Sequence, residues 1–337
     1  MRILVTGGCG FIGSHLVRNL FNHTTHVIHN IDNLTYSADL TRLEDIEVGN
    51  RYSFSRVDIT DFEDVFKTVM TFKPDLIMNL AAESHVDTSI SSPRQFVETN
   101  VVGTFNLLEA FRAYLGEYPE KIKTSKFHQI STDEVYGDLK SIRGPLSIDQ
   151  KFNENSAYLP SSPYSASKAA ADHLVKAWSR TYDLPVVLST CSNNYGPSQH
   201  LEKLIPKVIS NALQGVKIPI YGNGQQVRDW LYVEDHVRAL VTVAEQGKAG
   251  ETYAIGGSNE QKNIDVVKLL CLILDRVAPQ KSSYKNLIEF VDDRPGHDCH
   301  YGISSQKLQT ELGWKPLMSF EKGLETTVSW YMKRSGV

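Results

Sequence analysis

The chain has 337 residues, 41% hydrophobic and 22% charged, enough apolar material for one large or two modest cores. A net charge of −4 and a pI near 6.3 leave no basic face for nucleic acid or an anionic membrane, so any phosphate must be held by local groups. The four cysteines (Cys9, Cys191, Cys271 and Cys299) stand far apart, without CxxC or metal-ligand spacing, which implies free thiols, a reducing cytoplasmic setting and no metal site.

The amino terminus turns glycine-rich at once and lacks the apolar core of a signal peptide. Ile3, Leu4 and Val5 read as a strand buried on both faces of a parallel sheet. Gly7, Gly10 and Gly13 then recur every third residue before a helical pattern with Ile12, Leu16, Val17 and Leu20 on one face. Such a loop makes a tight turn, lets the backbone approach a pyrophosphate and offers it the helix N-terminus. Residues 27–31 read as the second strand and end at Asp32, where a carboxylate binds a ribose 2′-hydroxyl and repels a 2′-phosphate. NAD is therefore expected rather than NADP.

Alternation of strand and helix continues: a strand over 52–57 ending at Asp58 and Ile59, suited to an adenine ring, a helix over 62–72, and a strand over 76–80. Small residues at its end, Ala81 and Ala82, let a dinucleotide lie close, while His85 serves either the site or the fold. A long helix is expected over 95–114. Then comes a strand from Phe127 that runs into a polar turn carrying Asp133 and Glu134. Neighbouring acids repel, so one stays protonated and the other ionised, which suits one to give a proton and the other to take one.

Ser161 to Lys168 opens the next helix, with a serine N-cap and Pro163 at its first position. Tyr164 and Lys168 are one turn apart on one face, and an ammonium beside a phenol lowers its pKa towards neutrality, fitting it to take a hydroxyl proton as hydride leaves. Later, residues 186–189 read as a strand, 192–197 as a loop into a smaller domain, 234–245 as a helix returning to the first, and 266–274 as a buried helix. Lys203 and Arg228 stand among few other cations and suit a diphosphate, and Arg294 with His297 forms a second donor cluster. Residues 141–158 have few apolar anchors and read as a mobile loop near the site. Trp314, Phe320, Trp330 and Tyr331 are expected to pack the small domain.

The glycine loop, Asp32, Asp58-Ile59 and Tyr164-x-x-x-Lys168 together resemble the extended short-chain dehydrogenase/reductase family. Runs at 79–87 (Asn-Leu-Ala-Ala-Glu-Ser-His-Val-Asp), 131–137 (Ser-Thr-Asp-Glu-Val-Tyr-Gly), 192–197, 202–206, 228–235 and 294–298 are similar to its sugar-nucleotide 4,6-dehydratases over nearly the whole chain. The most specific element is Thr132-Asp133-Glu134, because the related sugar epimerases lack the acid pair.

The resemblance implies an α/β fold, a Rossmann-type doubly wound parallel sheet with a smaller α/β substrate-binding domain. Residues 1–190 would bind NAD, with 224–255 returning to them, and 191–223 plus 256–337 would bind the sugar nucleotide. It also implies cofactor contacts from Gly7, Gly10, Phe11, Ile12, Gly13, Asp32, Asn33, Leu34, Thr35, Asp58, Ile59, Leu80, Ala81, Ala82, Ser84, Thr99, Ser131, Tyr164 and Lys168. Substrate contacts would come from Ser84, His85, Thr132, Asn193, Lys203, Leu204, Pro219, Tyr221, Arg228, Asn263, Arg294, His297 and Tyr301.

The implied reaction removes water from a nucleoside-diphosphate glucose, with dTDP-glucose the expected substrate. Tyr164, supported by Lys168, deprotonates the C4 hydroxyl, which Thr132 helps polarise; Glu134 takes the C5 proton; Asp133 protonates the leaving C6 hydroxyl; and Tyr164 reprotonates C5. A homodimer built on the helices near 95–114 and 163–182 is implied, without nucleic-acid or membrane partners. A 4-epimerase or decarboxylase on the same fold would have no task for Asp133, and a non-enzymatic NAD-binding regulator would need none of these groups. Thr88, Thr190, His300 and Ser304 depart from the family pattern, and none removes a catalytic group.

Overall fold

The computed structural model describes residues 1–46, 50–139 and 151–335. In chain order its strands are β1 (Arg2–Thr6), β2 (Val27–Asp32), β3 (Tyr52–Arg56), β4 (Leu76–Asn79), β5 (Lys126–Thr132), β6 (Val186–Cys191), β7 (Asn193–Tyr195), β8 (Ile218–Tyr221), β9 (Val227–Tyr232), β10 (Thr252–Ile255), β11 (Glu260–Lys262) and β12 (Ile288–Val291). The α-helices are α1 (Phe11–His23), α2 (Phe62–Phe72), α3 (Val86–Ser91), α4 (Pro93–Phe96), α5 (Gly103–Glu117), α6 (Pro163–Tyr182), α7 (Leu204–Leu213), α8 (Val233–Gln246), α9 (Asn263–Val277), α10 (Gln306–Leu312) and α11 (Phe320–Arg334).

Seven parallel strands form the main sheet in the order β10-β6-β5-β4-β1-β2-β3. The side-chain alternation of a strand shows in β1, where Ile3 and Val5 enter one core and Leu4 the other. The first core joins α1 and α8 around Leu16, Val17, Leu240 and Val243; the second joins α2, α5 and α6 around Val65, Leu107, Phe111 and Val175. The chain leaves β1 towards β2 and β3, then reverses to β4, β5 and β6, so the order switches between β1 and β4. The carboxyl ends beside such a switch form a ligand crevice. Two hydrogen bonds close its floor: Thr6 Oγ1 donates to Asn79 Oδ1 at 2.8 Å and accepts from Ala81 N at 3.0 Å.

Two small sheets, β11-β9-β7 and β12-β8, build the second lobe with α7, α9 and α11. The expected loop over 192–197 contains β7, paired in parallel with β9. β9 stays in this small sheet, while α8 and β10 pack with the large one. Phe320 and Tyr331 lie in the small-lobe core and Trp330 packs against it. Trp314 does not: it is buried in the core beside α8, and its Nε1 donates to Asp235 O at 3.1 Å. The reason is that α10 lies on β10 and carries the chain after it back to the large sheet.

The helix expected over 95–114 is interrupted. Val97–Val102 is a π-helical turn between α4 and α5. It sets Thr99 in the cleft wall, while the Asn100 amide holds Glu83 N at 2.9 Å, Glu83 O at 3.0 Å and Ser167 Oγ at 2.8 Å. Of the loop expected over 141–158, residues 141–150 lie outside the described residues. The remainder is anchored: Phe152 is buried and forms an isolated parallel bridge about Ile303, with backbone hydrogen bonds to Gly302 and Ser304.

Candidate active site

One cleft of about 310 Å³ runs along the carboxyl ends of the main sheet and is walled by residues from six of its strands or the turns after them. On the dinucleotide side lie Gly7, Gly10, Phe11, Ile12, Gly13, Asp32, Asn33, Thr35, Asp58, Ile59, Leu80, Ala81, Ala82, Ser84, Thr99 and Ser131. Gly7 needs its missing side chain, because φ is +71° and a Cβ would fall 2.8 Å from Ala81. At Gly13 a Cβ would fall 2.1 Å from Gly7 O, which lets α1 start tight against the loop. Gly10 would meet only Gly7 O, at 3.2 Å, so its other side is open to a ligand.

Asp32 accepts from Cys9 N at 2.9 Å and Leu34 N at 2.8 Å, and burial pushes its carboxyl up. A carboxylate there fits a ribose diol and excludes a phosphate, so the residues present suit NAD. Leu34 does not wall the cleft; its side chain packs on the α1 core and its backbone serves Asp32. Asn33 Nδ2 donates to Asp58 Oδ2 at 2.6 Å and ties the turns after β2 and β3 together.

The chemical groups stand at the end of β5 and the start of α6. β5 passes into a single 3₁₀ turn, Asp133–Tyr136, whose N-cap is Thr132: its Oγ1 accepts from Glu134 N at 3.3 Å and donates to Asp133 Oδ1 at 3.4 Å. Asp133 is 1% exposed, and its Oδ2 has no hydrogen-bond partner among the described residues. Burial drives its carboxyl well up, and the charges of Glu134 and Asp229 add to the rise. By accessible surface Glu134 is half-buried where Asp133 is buried; burial raises it too, but Arg294, Lys203 and Arg228 pull it back. Three cations oppose the rise at Glu134 and one, Arg228, at Asp133, an asymmetry in the direction expected for a proton donor beside a proton acceptor.

α6 starts from a reciprocal cap in which Ser162 Oγ accepts from Ser165 N at 3.1 Å, Ser165 Oγ accepts from Ser162 N at 3.0 Å, and Pro163 follows. This sets Tyr164 and Lys168 into the cleft wall. The expected fall in the Tyr164 pKa is not produced by the protein alone. Burial and the charge of Glu134 drive the phenol well up, and only a Thr132 hydrogen bond draws it down. Lys168, lowered by burial, donates to Ile130 O at 2.8 Å instead.

The substrate-side residues form two groups. Ser84, Thr132, Asn193 and Lys203 wall the cleft itself. The rest are not in the cleft wall. Asp87 ties Arg294 Nη1 (3.0 Å) to Tyr221 OH (3.0 Å), and His297 Nδ1 meets Asp293 Oδ1 at 2.6 Å. The Arg228 guanidinium sits 4.3 Å over the Tyr301 ring and donates to Asp298 O. Leu204 opens α7, Pro219 lies in β8 and Asn263 opens α9. The amide oxygens of Asn193 and Asn263 are buried without a partner among the described residues, as acceptors awaiting a ligand would be.

Sequence reasoning missed Glu202, Gln199, His200, Glu83 and Asn194, all in the cleft wall. Glu202 is the centre of that group: Tyr36 OH donates to it at 3.2 Å, and His85, His200 and Lys203 lie at 3.9, 3.4 and 3.9 Å. Its position beside Lys203 in the 202–206 run was the available signal. His85 therefore belongs to the rim of the site. Of the departures, Thr190 Oγ1 meets Tyr136 OH at 3.2 Å and His300 Nε2 meets Glu260 at 2.8 Å, both outside the cleft wall. Ser304 serves a local turn, and nothing in the structure explains threonine at position 88.

The family model described as GDP-mannose 4,6 dehydratase matches residues 4–327. The chain is similar to a dTDP-glucose 4,6-dehydratase of Escherichia coli, at 56% identity over 335 residues, covering 98% of this chain and 93% of the relative. Among solved structures it is similar to the dTDP-glucose 4,6-dehydratase of Bacillus anthracis in complex with NAD, at 42% identity and a TM-score of 0.85 over 100% of this chain and 98% of that one. The Streptomyces venezuelae dTDP-glucose 4,6-dehydratase, also solved with NAD, gives 38% identity and a TM-score of 0.89 over 100% and 98%.

Proposed function

The chain belongs to the GDP-mannose 4,6 dehydratase family, within its dTDP-glucose 4,6-dehydratases, and from that premise we propose how its own residues divide the reaction. The enzyme is an NAD-dependent hydro-lyase that converts dTDP-glucose to dTDP-4-keto-6-deoxyglucose. The observation that carries the division of roles is the acid pair Asp133 and Glu134 in the same cleft wall as Tyr164 and Lys168. Bound NAD supplies the acceptor for the C4 hydride and gives it back at C6, so it is unchanged over a turnover and stays bound.

Tyr164 takes the C4 hydroxyl proton, with Thr132 orienting that oxygen and the Lys168 charge favouring phenolate. The 4-ketone acidifies the C5 hydrogen, which Glu134 removes. Asp133 protonates the C6 hydroxyl, which leaves as water. C5 regains its proton from Glu134, the group that holds it, rather than from Tyr164. At this point Tyr164 carries one proton more than at the start and Asp133 one fewer, so one proton passes between them before the next cycle. Lys203, Arg228 and Arg294, the three cations whose fields reach Glu134, take the diphosphate, and the orphaned amides of Asn193 and Asn263 accept from the nucleotide.

Incubation of the purified protein with dTDP-glucose, and separately with UDP-glucose, without added cofactor tests the whole scheme by product mass. Loss of one water from dTDP-glucose alone is the expected result; an isomer of unchanged mass would overturn it. Two lobes, residues 1–191 with 233–255 and 306–314, and the remainder, are the division that strand and core membership favours. A cytoplasmic homodimer completes the proposal, its seam on the helical face where Val97, Val102 and Phe105 are 51%, 43% and 40% exposed. Light scattering at micromolar concentration should give twice the chain mass, and Phe105→Glu should halve it.

A further inference from the structure

Lys168 has a buried neighbour that the reaction scheme does not use. Asp172 lies four residues further along α6, so its side chain shares the Lys168 face, and it is 0% exposed. Consecutive residues of β5 hold the two: Lys168 Nζ donates to Ile130 O at 2.8 Å, and Ser131 Oγ donates to Asp172 Oδ2 at 2.6 Å. Tyr158 OH donates to the same Oδ2 at 3.1 Å, and Lys176 Nζ lies 4.5 Å over the Tyr158 ring. Asp172 Oδ1 is buried with no hydrogen-bond partner among the described residues. Asp172 is absent from the cleft wall, so substrate and cofactor do not account for it.

A carboxyl this poorly satisfied destabilises the fold unless a charge answers it, and a buried lysine is in the same position. Each is the remedy for the other. Resting on the role given above to Lys168, we propose that Asp172 is a positioning residue whose negative charge keeps Lys168 an ammonium, so that Lys168 can act on Tyr164.

The other ionisable groups facing this pair are few. Cys191 of β6 faces Lys168, Tyr164 stands one turn before it on α6 in the same cleft wall, and Asp133 and Glu134 lie around Tyr164. Lys176 and the phenols of Tyr158 and Tyr136 face Asp172. Burial lowers Lys168, and among these neighbours Asp172 is the strongest opposing influence. Cys191, held up to about 12 by burial, stays a neutral thiol and cannot replace it.

The test is the pH profile of the first hydride transfer, read as reduced-nicotinamide absorbance after mixing enzyme with dTDP-glucose. Asp172→Asn keeps an acceptor for Ser131 and Tyr158 and removes only the charge. Lys168 then loses its proton at lower pH, and the alkaline limb should move down by about one unit, as expected when an opposite charge one helical turn away in a buried site is removed. Tyr158→Phe deletes a hydrogen bond that favours ionised Asp172; it should move the limb in the same direction by less, and it answers the question if the asparagine variant does not fold. An unmoved limb in the folded variants, or a larger shift from Tyr158→Phe than from Asp172→Asn, would overturn the proposal. Full hydride-transfer rates in Lys168→Met would instead overturn the role of Lys168 on which it rests.

Discussion

Replacing Asp133 by asparagine separates the chemistry from the fold. The carboxyl is 1% exposed and driven well above the ordinary carboxylate range by burial first and by Glu134 second, so it rests as the neutral acid. Asparagine has nearly the same shape and the same charge as that acid, and Thr132 Oγ1 can still donate to its oxygen. At about pH 4, where the unfolded carboxyl is still largely neutral as well, the Tm should therefore stay within about 2 °C of the parent, the shift that a ΔΔG below about 1 kcal/mol allows in a chain of this size. The comparison should also depend on pH. A carboxyl whose folded pKa is raised gives stability that is fully present below its unfolded value, near about 3.9, and is lost as pH rises through the folded value. Asparagine does not titrate, so the variant should gain on the parent as pH rises from about 5 to about 8.

Catalysis should respond otherwise. A general acid contributes about 10²–10⁴-fold, so product formation should fall by that factor, about 2.7–5.5 kcal/mol of barrier. The first hydride transfer precedes acid catalysis and should fall less than about threefold, well under the elimination loss. Stopped-flow absorbance of reduced nicotinamide follows that step, and quenched product mass follows the elimination. The reasoning fails if both steps slow by the same factor, or if water is still lost at the parent rate.

Gly13→Ala should purify with little bound NAD, because its Cβ would meet Gly7 O at 2.1 Å and Gly8 Cα at 2.7 Å; nucleotide content after acid release checks this. Arg294→Ala removes one of the three cations around Glu134 and leaves Asp87 with Tyr221 but no cation at 3.0 Å, so KM for dTDP-glucose should rise about tenfold or more with a smaller change in kcat. Trp314→Ala should cost about 3–5 kcal/mol, seen as a lower urea midpoint, while Trp314→Phe, which loses chiefly the bond to Asp235 O, should cost about 1–2 kcal/mol.

Much of the large sheet was legible because its signals are local. The helix expected over 62–72 is α2 to the residue, since Asp61 caps it by accepting from Asp64 N at 3.1 Å and Lys73 ends it at a φ of +52°. The Ser162–Pro163 start of α6 was readable for the same reason. The π turn was not: Val97, Thr99, Val101 and Val102 show nothing in sequence that separates it from ordinary helix, and the bonds of Asn100 to Glu83 and Ser167 join positions far apart in the chain. Trp314 looked like small-lobe packing because the residues after it, from Met318 on, pack there, whereas the contact that places it is with Asp235. The Tyr164 phenol shows the limit most clearly. Its one-turn spacing from Lys168 was visible, but burial and the direction of Glu134 are properties of the assembled cleft.

The place of β10 in the sheet bears on how the chain is made. Leu188 to Cys191 of β6 pair with Thr252 to Ile255 of β10, residues that leave the ribosome only after β7, β8, β9 and α8. Until then β6, buried along its whole length in the finished protein, presents an edge of unpaired backbone N–H and C=O groups flanked by apolar and hydroxyl side chains. Such an edge pairs readily with any strand it meets. A nascent or prematurely ended chain of residues 1–251 is thus expected to pellet on synthesis, and supplying the missing edge strand as a peptide to keep it in solution would show that the open ladder, rather than the absent small lobe, is the adhesive surface.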